Sequence, residues 1–259
     1  STAIRAPFAL EQPDERGVTV RFTDDTARAF AGAAARLKGP LALLDINRRG
    51  ANDLFLVSPA GAQVFLNSNG VFLPHGEPTP LSPGSVPAQI LVGDVQNDRF
   101  EDALVVAPEG VTLMRFATNG SFTDVTGFSG LRQARAAGRA GALADLDFTG
   151  KLGLLLADPD GRLRGFTNLG TGVFRERRST AGVPDPLAVT AVTQITVDDL
   201  NSDDLPDVLL TRSNAPPYLL LNLRGGGLSA TNQPADWPVA RGLAIGDLNN
   251  DLRMDVALA

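Results

Sequence analysis

The chain has 259 residues, enough for one large domain or two small ones, and its 43% hydrophobic and 20% charged residues are typical of a globular protein. No stretch approaches the roughly 20 apolar residues of a membrane-spanning helix, and a net charge of −6 argues against a nucleic-acid partner. With no cysteine and one histidine, disulfides and thiolate chemistry are excluded, and His-paired nucleophiles and multi-His zinc sites are disfavoured.

Taken in chain order, five segments repeat one pattern: an apolar run, a polar loop that begins with aspartate, and a second apolar run. The segments begin at Leu41, Ile90, Gly141, Ile195 and Gly242. Their leading aspartates are spaced by 49, 51, 54 and 48 residues: Asp45, Asp94, Asp145, Asp199 and Asp247. A near-constant period of this length indicates a repeat architecture.

After the second apolar run, the segments continue with a tight turn, a third run, a further turn and a fourth run. In the first segment these parts are the turn 59–61, the run 63–67 and the run 70–73. Short runs rich in Val, Leu, Ile and Phe between Gly, Pro, Asn and Asp predict β-strands joined by hairpins. Four antiparallel strands in about 50 residues are typical of a β-propeller blade. The runs are nearly continuous, which predicts strands buried on both faces between neighbouring blades.

The fifth segment ends after its second run, at Ala259, whereas residues 18–24 resemble the fourth run of the second segment. We therefore expect an all-β, five-bladed propeller in a single domain, with the last blade completed by N-terminal strands, because closure removes exposed sheet edges. The alternative is a piece of a larger ring. The predicted blades span residues 41–89, 90–140, 141–192, 193–240, and 241–259 together with 1–30.

The polar loops share the pattern Asp-x-Asn/Asp-x-Asp-x-x-x-Asp, counted from the leading aspartate as position one. Two loops match fully and one has Gln at position three: Asp199, Asn201, Asp203, Asp207; Asp247, Asn249, Asp251, Asp255; and Asp94, Gln96, Asp98, Asp102. Calcium takes roughly six to eight oxygen ligands, and oxygens on alternate residues of a short loop surround one ion. The pattern predicts structural Ca²⁺ in these three loops. The alternative is that the side chains only form Asx-turns.

Two further loops match less well and are predicted to be weaker metal sites. The first keeps Asp45, Asn47 and Asp53 but has Arg49 at position five, where its guanidinium is expected to replace the cation as an internal salt bridge. The third keeps Asp145 and Asp147, with Thr149 and Gly153 in the place of the last two carboxylates.

These loops, together with Asn-Gly-x-Phe turns such as 69–72 and 119–122, resemble the FG-GAP/VCBS repeats of integrin-α-like β-propellers. The resemblance covers almost the whole chain. It implies structural calcium in the loops, a partner on the opposite face, and an extracellular, periplasmic or cell-surface location. The chain departs from the family at loop position six, where Arg99, Asp204 and Leu252 replace glycine. A non-Gly residue there must accept an unusual backbone conformation, which puts the calcium affinity in doubt.

Five residues were singled out as a possible partner-binding face: His75, Arg132, Arg135, Tyr218 and Trp237. We place His75 in a Pro-rich connection between blades, and Tyr218 and Trp237 in loops opposite the calcium loops. The two arginines suit an anionic sugar or an acidic partner. We expect a non-enzymatic binding or adhesion module for a protein or carbohydrate. The alternatives are a polysaccharide lyase or hydrolase, with Glu77, His75, Tyr218 and Arg135 as loose candidates, and a purely structural spacer.

Overall fold

A computed structural model describes residues 24–30, 39–81, 87–177, 185, 187–225, 227–230, 233 and 236–259. Of residues 1–30, which are predicted to complete the last blade, residues 1–23 lie outside the described residues. Residues 24–30 are described and contain no strand. In the described chain, helix is limited to α1 (Thr26–Ala29) and one turn of 3-10 helix (Thr126–Phe128). No helix of this part of the chain is long and apolar enough to cross a membrane.

The described residues contain eighteen strands in five antiparallel sheets. The first sheet consists of β1 (Leu41–Leu44), β2 (Asp53–Ser58), β3 (Gly61–Ser68) and β4 (Val71–Thr79). The second consists of β5 (Gln89–Gly93), β6 (Asp102–Ala107), β7 (Gly110–Phe116) and β8 (Phe122–Asp124). The third consists of β9 (Ala140–Ala144), β10 (Gly153–Ala157), β11 (Leu163–Asn168) and β12 (Phe174–Glu176). The fourth consists of β13 (Val192–Asp198), β14 (Asp207–Arg212), β15 (Ala215–Asn222) and β16 (Leu228–Ser229), and the fifth of β17 (Leu243–Gly246) and β18 (Asp255–Leu258).

Within each sheet the strands pair in chain order, as the hairpin pattern predicts. The residue before each leading aspartate lies opposite loop position nine in all five sheets: Leu44 opposite Asp53, Gly93 opposite Asp102, Ala144 opposite Gly153, Asp198 opposite Asp207, and Gly246 opposite Asp255. The first strands pack on one another in sequence, β1 on β5, β5 on β9, β9 on β13 and β13 on β17. This arrangement of four-stranded sheets around a row of inner strands is propeller-like and confirms the all-β prediction.

The apolar core lies between consecutive sheets. Phe55 of the first sheet packs edge-on against Phe116 and Phe122 of the second, with ring centroids 5.1 and 5.5 Å apart. Two further apolar clusters join the second sheet to the third, and the third to the fourth. All six residues of β6 are buried, which confirms that the continuous runs are covered on both faces. Complete burial of a side chain such as Phe55 contributes about 2 kcal/mol.

Amide side chains tie neighbouring sheets together at buried carbonyl groups. Asn168 Nδ2, at the end of β11, donates to Val95 O of the preceding sheet at 2.8 Å, and Asn222 Nδ2, at the end of β15, donates to Leu146 O at 2.9 Å. On the inner strands, Gln194 Nε2 donates to Leu243 O at 2.8 Å. A buried carbonyl group without a hydrogen-bond donor destabilises the fold. Each of these hydrogen bonds between sheets therefore stabilises the packing of two neighbouring sheets by about 1 kcal/mol.

The two ends of the sheet series are less covered. Within the described chain, β1 and β17 are not packed together as the other neighbouring inner strands are. Leu41 and Leu43 of β1 are each 51% exposed. On the same face of the first sheet, Phe30 stacks on Phe72 with centroids 5.3 Å apart. The described residues therefore show five consecutive sheets without closure of a ring.

Candidate functional site

Five polar loops lie at one end of the sheets, and all are wound in the same way. We call them the Asp loops: residues 45–53, 94–102, 145–153, 199–207 and 247–255. In the fourth loop, Asp199 Oδ1 accepts from the backbone N–H of Asp203 at 3.1 Å, and its Oδ2 accepts from Asp204 N at 2.9 Å. The leading aspartates of the other four loops accept the same pair of N–H bonds from positions five and six. This shared winding explains why an aspartate begins every loop.

The winding requires a left-handed backbone at two positions of every loop. Position six has a φ of 76° at Gly50, 69° at Arg99, 74° at Gly150, 64° at Asp204 and 66° at Leu252. Position four is left-handed as well, at Arg48, Asn97, Phe148, Ser202 and Asn250. The unusual conformation expected for the residues that replace glycine is therefore confirmed. For an L-residue it costs roughly 1–2 kcal/mol.

In the fourth and fifth loops, oxygen atoms face the turn from positions one, three, five and nine. Asn201 Oδ1 accepts from Asp203 N at 3.0 Å, and Asp203 Oδ1 accepts from Leu205 N at 2.9 Å. Asp207 is fully buried and accepts from Leu200 N and Asn222 N. The fifth loop repeats the pattern, with bonds from Asp251 N, Arg253 N and Leu248 N. The Asx-turn arrangement that the sequence left open is thus present.

Burial and like charges destabilise the ionised form of two carboxyls at position nine, those of Asp102 and Asp207. Desolvation is the main cause that raises the pKa of Asp102 to about 6, and the negative charges of Asp98 and Asp94 add to it. Desolvation, followed by the charges of Asp203 and Asp199, raises the pKa of Asp207 as well. A cation in either loop would reverse this penalty, since it would pair with carboxylates that otherwise repel one another.

The second loop contains a cation that the sequence reasoning missed. Arg115 Nη2, on β7, forms an ion pair with Asp98 Oδ2 at 2.5 Å. Gln96 Nε2 donates to Asp102 Oδ1 at 3.1 Å and so presents an amide nitrogen to that carboxylate. Arg115 lies opposite Asp102 in the strand register. An arginine at that register position was the available signal, because the first and fourth sheets have Leu66 and Leu221 at the corresponding position.

In the first loop the predicted salt bridge is wrong. Arg49 is exposed, and within the described residues its guanidinium forms no ion pair with Asp45 or Asp53. Arg49 contacts Asp45 through its main chain, since its backbone N–H donates to Asp45 Oδ1 at 3.0 Å. Asp53 is fully buried, and its Oδ2 together with Asn47 Oδ1 has no hydrogen-bond partner. Two orphaned buried oxygens are the arrangement that a bound cation would satisfy.

The third loop is the poorest match to a metal site. Asp147 Oδ1 accepts from the Thr149 hydroxyl at 2.9 Å, and Gly153 supplies no side-chain ligand. Across the described residues, no group of three or more His, Asp or Glu side chains is gathered closely enough to hold a metal ion. The donor chemistry fits calcium best in the fourth and fifth loops, where all donors are oxygens.

Of the residues predicted for partner binding, two are placed differently by the structure. His75 lies within β4, paired with Val64, and not in a connection between blades. Its ring lies against Gly120, where an added Cβ would be 2.9 Å from His75 Cδ2. Tyr218 lies within β15 and packs on the core cluster between the third and fourth sheets. Arg212 covers its ring at 4.9 Å. Trp237, half-buried, lies as predicted in the connection that follows the fourth sheet, opposite the Asp loops.

Arg132 and Arg135 line one cleft of about 580 Å³ at the end opposite the Asp loops. Glu109, in the turn between β6 and β7, and Asp124, at the end of β8, line the same cleft. Neither carboxylate was identified as a candidate from the sequence. Within the described chain, neither arginine side chain has a hydrogen bond or an ion pair, and Glu109 has none either.

The turn that carries the two arginines is held from the neighbouring sheet. Arg164 Nη1 donates to Arg135 O at 3.1 Å and its Nη2 donates to Ala134 O at 2.8 Å, while its Nε pairs with Glu176 at 2.7 Å. Arg135 itself has a left-handed φ of 51°. The two hydrogen bonds from Arg164 fix the backbone of the turn at this wall of the cleft. Phe128 follows the buried Thr126 of the cleft wall and is 87% exposed.

Comparison with known proteins places this geometry in context. Residues 199–258, which contain the fourth and fifth Asp loops, match the family model of the FG-GAP-like repeat. A lectin of Agrocybe aegerita with specific recognition of non-reducing terminal N-acetylglucosamine superposes with a TM-score of 0.62 at 19% identity, over 88% of this chain and 62% of the lectin. This chain therefore spans less than two thirds of that lectin's length.

A second solved structure is less similar. The Tc holotoxin pore of Photorhabdus luminescens matches at 23% identity with a TM-score of 0.42, over 68% of this chain and 8% of that one. No curated protein matches the sequence. The resemblance inferred from the sequence is confirmed: the chain carries an FG-GAP-like repeat at residues 199–258, and its fold is similar to that of the Agrocybe aegerita lectin.

Proposed function

We propose that this chain is a non-enzymatic binding module that holds a carbohydrate in the cleft opposite the Asp loops, on a scaffold stabilised by calcium. The observation that carries the proposal is the cleft with Arg132, Arg135, Glu109 and Asp124. Its volume of about 580 Å³ lies in the range of small-molecule sites. The lectin of similar fold recognises a terminal sugar, which supports a carbohydrate over a protein partner.

The two ends of the sheets suit different tasks. At one end, five loops share a single winding and differ little in their main-chain bonds, as expected for structural parts. At the other end, the connections differ in length and sequence, and the one between the second and third sheets carries unpaired charged side chains. Binding residues concentrate on variable loops held by a rigid scaffold. The contrast between the uniform Asp loops and the variable connections therefore supports placing the binding site at the end opposite the Asp loops.

Calcium is proposed for the fourth and fifth Asp loops first. Both provide oxygens from positions one, three, five and nine, and no side-chain cation lies on them in the described chain. The second loop is the weaker candidate because Arg115 already neutralises Asp98. Calcium would supply charge compensation for the buried carboxylates, and the residues that would hold it are the carboxylates and the Asn amide oxygens of those loops.

The ring is proposed to close between the fifth and first sheets. Asn67 occupies the place of Asn168 and Asn222 at the end of the third strand, but its Nδ2 bonds only within its own sheet, to Asn52 O at 2.8 Å. The carbonyl that corresponds to Val95 O and Leu146 O is that of Leu248. Closure would also cover Leu41 and Leu43 of β1.

By resemblance to the FG-GAP/VCBS family, whose members are usually extracellular or exported, we propose a location outside the cytoplasm.

A glycoside hydrolase is the second candidate, because Glu109 and Asp124 line one cleft and such enzymes use two carboxylates. Two observations favour binding. Asp124 Oδ1 is engaged by the backbone N–H and the hydroxyl of Thr126. The loose catalytic candidates His75 and Tyr218 lie on the first and fourth sheets, and neither lines the cleft.

The test is a glycan array probed with the calcium-loaded protein, followed by mass spectrometry of each retained glycan after prolonged incubation. The array includes glycans that end in N-acetylglucosamine. The proposal predicts retention of a defined group of glycans, with all of them recovered intact. Retention of none contradicts a carbohydrate partner, and shortened products support the hydrolase.

A further inference from the structure

We infer that the cleft between the β6–β7 turn and the connection 125–139 selects uncharged saccharides, with arginines as donors and carboxylates as acceptors. This inference rests on the proposed carbohydrate function and adds the chemical class of the ligand. It also differs from the anionic ligand expected from the two arginines alone. The reason is the pair of carboxylates that the fold brings to the same cleft.

The charges that line the cleft balance. Arg132 and Arg135 contribute two positive charges, and Glu109 and Asp124 contribute two negative ones. An anionic sugar would gain attraction from the guanidinium groups and meet repulsion from the carboxylates of the same cleft. An uncharged sugar gains from both, because each hydroxyl donates one hydrogen bond and accepts others. Vicinal hydroxyls thus match a cleft with both donors and acceptors.

The recognition groups are partly fixed before any ligand arrives. Asp124 is held by Thr126, whose hydroxyl is 2.5 Å from Asp124 Oδ1 and also accepts from Leu113 N at 2.9 Å. The backbone beneath the arginines is held by the fork of Arg164. A site whose parts are already ordered loses less entropy on binding, which matters for a small polar ligand with little apolar area.

A pyranose has an apolar face of C–H groups and a polar edge of hydroxyls. We assign the hydroxyl edge to the four charged side chains that line the cleft.

The experiment is calorimetric titration of the full chain with matched pairs of methyl glycosides: glucose against glucuronic acid, and galactose against galacturonic acid. Larger glycans retained on the array are titrated in the same way. The inference predicts that the uncharged member of a pair binds more tightly, by about tenfold or more. It also predicts that this affinity changes less than about twofold when salt is raised from low to high concentration. Tighter binding of the uronic acid with steep salt dependence would overturn it.

Variants locate the site. Arg132→Gln and Glu109→Gln should each weaken binding of the uncharged glycan by about tenfold. Arg139→Gln is the matched control, since Arg139 is exposed and does not line the cleft. If the array retains glycans but the cleft variants bind like the control, the inference fails while the carbohydrate function stands. If no glycan is retained by the wild type, both fail.

Discussion

Leu252→Gly is predicted to stabilise the protein, although it removes a large side chain. Leu252 lies at position six of the fifth Asp loop with a φ of 66°, and its side chain is 88% exposed. Almost no apolar burial is therefore lost. The left-handed backbone costs an L-residue roughly 1–2 kcal/mol, and glycine removes this cost. Glycine also gives the unfolded chain more conformational freedom, which offsets about 0.5–1 kcal/mol of the gain. The net gain in unfolding free energy is about 0.5–1 kcal/mol.

The assay is thermal and urea unfolding in the presence of a chelator, so that calcium binding does not contribute. For a chain of this size, the gain corresponds to a rise of about 2 °C in Tm. Gly150→Ala is the matched inverse, because Gly150 has the same loop position with a φ of 74° and nothing within 4 Å of the added Cβ. It should lose a similar amount. If Leu252→Gly is less stable than wild type while Gly150→Ala is unchanged, the strain at position six is refuted.

Three other outcomes follow from the loops and the junctions between sheets. Calcium at a hundredfold excess over its Kd should raise the unfolding free energy by about 3 kcal/mol per site. Asp251→Ala should reduce this gain and remove a site in a calorimetric titration. An unchanged gain would exclude the fifth loop as a calcium site. The folded-state pKa of Asp102 is raised from 3.8 to about 6, so between these pH values the metal-free folded state binds a proton that the unfolded state does not. The unfolding free energy should therefore fall as pH rises from about 4 to about 6, and Asp102→Asn should flatten this pH dependence in urea unfolding. If the variant keeps the same pH dependence, another group titrates. If the ring closes, Asn67→Ala should cost as much as Asn222→Ala, about 3 kcal/mol for three lost hydrogen bonds, whereas a much smaller cost would indicate an open junction.

The repeat could be recognised from the sequence because it is a local property. In each Asp loop, the leading aspartate side chain accepts hydrogen bonds from main-chain N–H groups four and five residues later. The winding is therefore encoded in nearby positions, such as Asp199, Asp203 and Asp204. The strands around the loops follow from the apolar runs and the turn residues. The family resemblance rests on the same local pattern, and for this reason the match at residues 199–258 confirms it.

Features that join distant parts of the chain were not visible in this way. The ion pair of Arg115 with Asp98 depends on the register of β7 beside β6, and the cleft joins Glu109 to residues 15 to 26 positions later in the chain. His75 was misplaced because Pro74, Gly76 and Pro78 are typical of a connection. In the structure they lie in β4, an edge strand, where proline need not interrupt a ladder of hydrogen bonds.

The central claim is that one end of the sheets holds the scaffold together and the opposite end binds a glycan. Hydrogen exchange of the calcium-loaded chain, with and without a glycan retained on the array, tests it most directly. The account predicts slower exchange on glycan addition in the turn 108–110 and in residues 124–137, with no change in the Asp loops. Protection confined to the Asp loops, or no protection anywhere, would contradict it.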